Sequence, residues 1–344
     1  MAQKSERSPN GCLWLFIVMV VCTISFGILK TLFPLHDYLA WVLSFGIATF
    51  FVINIIGRPA GISVLKNAVI IIIVLAILKT LGGFFLDVLS IKTETTTFRT
   101  EEATLPTTMI ENNDTIRVYS TKRSWKDNYG NPYSGTLTVR EPDYLRLKDH
   151  ISRYIPPSGG NFWGALYDHI DRTDTPSLDL IIDTFTEIEQ QHQLNRMEFA
   201  EMIVSCVQDI PYAFVFQEEC LPARQYEASI RKILEKCPEC CIGNILYGIQ
   251  NPVSFIQNLK GDCDTRTVMI YSILKHFGYD VAILNSDYYR HSILGLNLPA
   301  QGLYKIHNGK KYVLWETTAK YFEIGYLSPS YNDVTYWNVV LTSK

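Results

Sequence analysis

The chain lacks a basic excess: among 344 residues, Lys+Arg number 31 and Asp+Glu 34, for a net charge of −3. Long-range attraction to a polyanion needs such an excess, so no nucleic-acid partner is implied. Charge of either sign is scarce over the first 89 residues, which hold six Lys/Arg and three Asp/Glu. A sparsely charged front third joined to an ordinarily charged remainder excludes collagen, a disordered chain and a purely cytosolic enzyme. A second C-x-x-C is also missing, and no nearby His completes a four-ligand set with Cys237 and Cys240, which argues against structural zinc.

What the front third does contain is apolar. Between Arg7 and Lys30 lie 22 uncharged residues, and between Asp37 and Arg58 another 20. Asn67 to Leu86 is a third stretch of 20, interrupted by Lys79. About 20 apolar residues suffice to cross a bilayer as a helix. The sequence therefore predicts a membrane anchor over 1–89 with three transmembrane helices, at about 12–30, 38–57 and 67–86. The first lacks a small-x-small cleavage site, so it reads as an uncleaved anchor with the lipid bilayer as partner. Lys4, Arg7, Arg58 and Lys66 then fall on one side, which places the amino terminus inside and the rest of the chain outside, as in a multi-pass cell-membrane protein with a periplasmic domain. If the Lys79 segment does not cross, the large domain is cytoplasmic instead.

A Thr/Glu-rich stretch over 90–113 reads as a solvated linker. Residues 114–141 hold two β-rich runs around Asn-Tyr-Gly-Asn-Pro, a hairpin signal. From Pro142 to Cys237 apolar residues recur at three- and four-residue spacing, and after Gly278 the period changes to two. His307-Asn308-Gly309-Lys310 marks a tight hairpin. Residues 142–344 therefore read as an α+β domain, helices followed by an antiparallel sheet.

The chemistry falls at the junction. Cys263 opens a helix that Gly278 ends, and a thiol at a helix N-terminus meets the positive end of the macrodipole. Asp262 and Asp264 oppose that effect, although either could cap the helix. His291 opens one strand and Glu316 closes another. If those strands pair antiparallel, with the short strand GLYKI outside them, the His and Glu meet above the Cys263 helix. That supplies a nucleophile, a base and an orienting group, with Asp287 as an alternative orienter. The bland reading of each is a buried thiol, a strand-end histidine and a solvated carboxylate. The backbone N–H of Cys263 would serve an oxyanion hole, and Gln257, six residues upstream, has the spacing of a side-chain donor to it.

Gly261-Asp262-Cys263, Tyr279-Asp280-Val281-Ala282, His291-Ser292 and Trp315-Glu316-Thr317-Thr318 together resemble the transglutaminase-like superfamily, a papain-like Cys-His-Asp group, in a bacterial membrane-anchored form. VQDIPY at 207–212 resembles the helical lead-in of bacterial members. Here Glu316 stands where the family usually has Asp, and Ile293 where many members have Trp. The resemblance covers about 195–320. It implies a thiol hydrolase (peptidase or amidase) or acyl-transferase that works through a thioester on a protein or peptide of the cell envelope, with no cofactor and no metal. The other reading it allows is a catalytically inactive module that binds a protein or envelope component. Of the remaining cysteines, Cys220 is expected to form a disulfide with one of Cys237, Cys240 and Cys241; a metal site there is the weaker alternative.

Overall fold

The structure is a computed structural model that describes residues 11–32, 37–57, 104–157 and 159–344. The chain divides into two compact units, Met1–Ile91 and Lys92–Lys344.

In the first unit the two leading apolar stretches form helices α1 (Gly11–Leu32) and α2 (Asp37–Ile56). They pack through Trp14, Val18 and Cys22 against Ala48 and Val52, and the Trp14 indole donates to the carbonyl of Gly57 at 3.1 Å. Phe16, Phe50 and Ile55 are exposed. Among the described residues no helix is long and apolar enough to cross a membrane. This corrects the three-span anchor, and with it the multi-pass membrane placement and the inside/outside topology that rested on it. The third expected span, 67–86, lies outside the described residues.

The second unit is α+β. It begins with an antiparallel three-stranded meander of β1 (Leu105–Glu111), β2 (Asp114–Lys126) and β3 (Pro132–Arg140). The end of the stretch read as a linker is thus a strand. Four helices follow: α3 (Glu141–Ser152), α4 (Phe162–Asp174), α5 (Asp179–His192) and α6 (Arg196–Gln208). Asn195 caps α6, accepting from Met197 N and Glu198 N while the Glu198 carboxylate returns to Asn195 N, a capping box.

After α6 a small lobe is built from β4 (Phe214–Val215), α7 (Ala228–Leu234) and β5 (Cys241–Ile242), with its own apolar cluster of Ala213, Leu234, Cys237 and Cys240. Disulfides Cys220–Cys241 and Cys237–Cys240 clasp it. The chain then re-enters the core through α8 (Pro252–Asn258) and α9 (Cys263–His276). Gly278, at φ +74°, adopts the left-handed conformation that turns the chain out of α9.

The closing sheet comprises β6 (Val281–Ser286), β7 (His291–Leu296), β8 (Tyr304–His307), β9 (Lys310–Trp315) and β10 (Asn338–Thr342), in the order β10-β6-β7-β9-β8 and antiparallel throughout. Asn308 and Gly309 both have positive φ, as a two-residue hairpin between β8 and β9 requires. One face of the sheet, with Ile283, Leu294, Leu296 and Trp315, belongs to the main core shared with α9; the other, with Leu284, Ile293 and Leu314, closes over Trp337 and Leu327.

Candidate active site

Because β8 lies at the sheet edge, β7 pairs directly with β9, Leu294 opposite Trp315 and Leu296 opposite Val313. The register brings the start of β7 beside the end of β9. There His291 Nε2 and Glu316 Oε2 stand 2.9 Å apart. Glu316 is fully buried, and its other oxygen accepts from Thr317 N (2.9 Å), Thr318 N (2.8 Å) and Thr318 Oγ1 (2.6 Å). Burial alone would push this carboxyl up, but the His291 charge and hydrogen bond, with the Thr318 bonds, hold it down at about 2. His291 has the converse balance: burial lowers its pKa, and Glu316 more than offsets that, leaving it raised. The imidazole is thus tuned to carry a proton opposite a fixed carboxylate. Asp287, the alternative orienter, lines the same cavity as His291 without taking that place.

Cys263 is the first residue of α9 and is 8 % exposed. Asp262 caps the helix, its Oδ1 accepting from Thr265 N at 3.1 Å. The N–H groups of the first helical residues, Cys263 and Asp264, have no partner within the helix and are available to an oxyanion. The backbone of Ser292, the residue after His291, acts on the thiol to lower its pKa, against the larger effect of burial. Among the described residues no hydrogen bond joins Cys263 Sγ to His291, and His291 Nδ1 has no partner. Burial pushes the thiol pKa well up, with further contributions from Asp264 and Asp262. Catalytic bonds are often long in an unliganded site and tighten around substrate.

The ends of α6 and α9 are held together by a buried arginine that the sequence reading did not single out. Arg266 is fully buried and donates to the carbonyls of Gly261 (3.0 Å), Val207 (2.8 Å) and Ile210 (2.5 Å). It ties the VQDIPY segment to the nucleophile helix, and Tyr212 then bridges to Gly261. Gly261 is needed for space rather than for φ: a Cβ there would lie 2.8 Å from Phe255 Cδ2 and 2.9 Å from Thr265 Cγ2.

Gln257, the expected oxyanion donor, stands apart. Its backbone carbonyl accepts from Thr104 Oγ1 at 2.5 Å, and among the described residues no hydrogen bond links its side chain to Cys263, His291 or Glu316. The glutamine that does reach the site is Gln208, at the end of α6. Its Nε2 donates to the carbonyls of Glu316 (2.6 Å) and Phe322 (3.1 Å), fixing the peptide that carries the orienting carboxylate.

A cavity of about 260 Å³ opens beside His291, walled by Trp163, Asp264, Asn285 and Arg290 among others. Arg290 reaches from it to Glu227 of the disulfide-clasped lobe at 3.0 Å. A larger cavity of about 660 Å³, between Trp125, His192 and Lys320, holds none of Cys263, His291 and Glu316. Among the described residues no group of His, Cys, Asp and Glu is arranged to hold a metal ion. Cys220 takes Cys241 as partner, and Cys237 and Cys240 pair with each other, so all four sulfurs of the lobe are used.

Comparison with protein-family models, with curated proteins and with solved structures finds no match for this chain.

Proposed function

We propose that the chain is a transglutaminase-like cysteine hydrolase or acyl-transferase acting through Cys263, His291 and Glu316. The observation that carries this reading is the His291–Glu316 pair, set where β7 starts and β9 ends, beside the N-terminus of the helix that Cys263 opens. Glu316 engages Nε2, so Nδ1 is the nitrogen left for proton exchange with the thiol.

In the reaction, Cys263 gives its proton to His291 and its sulfur attacks a carbonyl carbon, forming a tetrahedral oxyanion that the N-terminal N–H groups of α9 stabilise. Collapse breaks the bond to the leaving group, which takes the proton back from the imidazolium, and leaves a thioester on Cys263. Water or an amine then attacks the thioester, losing a proton to His291, and the released thiol is reprotonated. The substrate class is a peptide or protein amide or an ester. Glu316 holds the ring in place throughout and stabilises its charge in the steps in which it carries the second proton.

A second reading, an inactive module of the same type that binds a protein, draws on the burial of Cys263 and on the absence of a Cys263–His291 bond in the unliganded site. Cys263 alkylation followed across pH, with and without His291, separates the two. A low-pH plateau that depends on His291 supports acyl transfer, and its absence supports binding.

A further inference from the structure

The cavity of about 660 Å³ stands apart from Cys263, His291 and Glu316, between the turn end of β2 and β3, the C-terminal ends of α5 and α6, and the segment after β9. That volume is ordinary for a small-molecule site. Three features of its wall say what it can hold.

The first is an acceptor without a donor. Gln208 lines the cavity and is 1 % exposed. Its Nε2 is committed to the carbonyls of Glu316 and Phe322, which fixes the amide. Its Oε1 is buried and has no hydrogen-bond partner among the described residues. A buried acceptor left bare is costly, so the site calls for an N–H or O–H.

The second is charge. Lys126 and Lys320 line the cavity with a single carboxylate, Asp209. Asp209 is already answered by the buried guanidinium of Arg123 at 2.8 Å and by Lys320. Lys126 is exposed and has no ion-pair partner among the described residues. Asp127 and Glu201 stand nearby but outside the wall, engaged by donors of the β2–β3 turn. The wall therefore carries an excess of positive charge, which suits an anion.

The third is an aromatic face. Trp125 and Tyr133 are cross-strand partners with ring centroids 6.1 Å apart, and Tyr133 meets His192 at 5.1 Å. These rings offer an apolar surface beside the polar groups.

We propose that this cavity binds an N-acylated amino acid, free or as the last residue of a peptide. Its carboxylate faces Lys126 and Lys320, its N–H meets Gln208 Oε1, and its side chain lies on Trp125, Tyr133 and His192. A simple anion would leave Gln208 bare, and a neutral amide would leave Lys126 unanswered. The site is independent of the acyl-transfer reading.

N-acetylphenylalanine should bind the full chain with a Kd of about 1 mM or tighter in isothermal titration calorimetry. Its C-terminal amide lacks the anion and 3-phenylpropionate lacks the N–H, so each should bind about tenfold more weakly. Equal affinity for the three overturns the proposal. So does the absence of heat from N-acetylphenylalanine up to about 10 mM, which would mean a cavity filled by water alone. Lys126→Glu reverses an exposed charge, and Ser134→Trp fills the cavity from an exposed position on its wall. Both should keep the wild-type melting temperature and weaken binding about tenfold or more. Undiminished binding in both places the ligand elsewhere and overturns the proposal. Cys263→Ala should leave the affinity unchanged; a loss there would put the ligand at the candidate nucleophile and overturn it as well. Acetyl-Ala-Phe separates the two sources: tighter binding than N-acetylphenylalanine supports a peptide chain end, and equal or weaker binding supports the free N-acyl amino acid.

Discussion

Glu316 divides its two oxygens between two tasks: Oε2 stands 2.9 Å from His291 Nε2, and Oε1 collects three donors from Thr317 and Thr318. The carboxylate is satisfied before substrate arrives and has no freedom to rotate away from the imidazole. That arrangement has energetic consequences as well as chemical ones.

The first concerns pH. Glu316, held at about 2, contributes stability that is present above its unfolded value of about 4.3 and is lost as pH falls through 2. His291, raised, contributes stability that is present below about 6.5 and is lost as pH climbs through its folded value. The pair therefore stabilises most in mildly acidic solution. Glu316→Gln should cost about 2 kcal/mol at pH 6 in a urea titration and progressively less toward pH 2. A cost that does not change with pH would show that the pair contributes no charge interaction.

Gly261→Ala tests the packing beneath the nucleophile. The added methyl meets Phe255 and Thr265, both fully buried with no room to retreat. Overpacking of this kind costs about 1–3 kcal/mol and should show as a lowered urea midpoint at unchanged slope. Slowed alkylation of Cys263 in the folded variant would place the strain at the start of α9.

Arg266→Met replaces a guanidinium by an apolar chain of similar length and strands the carbonyls of Gly261, Val207 and Ile210. Leaving buried acceptors unpaired should cost about 3 kcal/mol or more. Proteolysis should then cut first near 207–212. A variant as stable as wild type would show that water or a rearranged loop satisfies those carbonyls.

How much of this was legible in the sequence depends on where each residue finds its partners. The meeting of His291 and Glu316 followed from strand alternation, on the condition that β8 stay outside the pair, and the β8–β9 hairpin turn at Asn308-Gly309 is local. Helix α4 lies within the 142–237 region read as helical, but the burial of its acidic residues was not legible, because Asp and Glu on such helices read as solvated faces. In the fold Asp171 is buried against Lys275, and Asp174 against Asn251 at 2.6 Å, partners far along the chain. The same holds for Asp264, read as an obstacle to the thiolate, whose hydrogen-bond partner Tyr167 comes from α4. Gln257 had the right spacing and the wrong place, whereas Gln208 sat unremarked in a motif already noted. The partner of Cys220 stayed open until the parallel pairing of β4 with β5 brought Phe214 opposite Cys241.

The lobe supplies the fourth prediction. The Cys220–Cys241 bond spans a sequence separation of 21 residues, and closing a loop of that length lowers the entropy of the unfolded chain by about 3 kcal/mol at 25 °C. Cys220→Ser combined with Cys241→Ser should lower stability by up to that amount. Cys237–Cys240, closed over a separation of three, should give much less when replaced. Equal losses from the two would point to native packing rather than loop closure.

The account turns on whether Cys263 and His291 act as one unit, and the pH dependence of Cys263 alkylation by iodoacetamide tests that most directly, in wild type and in His291→Ala. A coupled pair predicts a rate that reaches a plateau below about pH 8 in wild type, once thiolate and imidazolium coexist. In His291→Ala the plateau should vanish, leaving a rate that climbs past the ordinary thiol value of about 8.5, because burial and the neighbouring aspartates hold the isolated thiol up. Superimposable profiles in the two proteins, or no labelling of the folded wild type, would contradict the catalytic account.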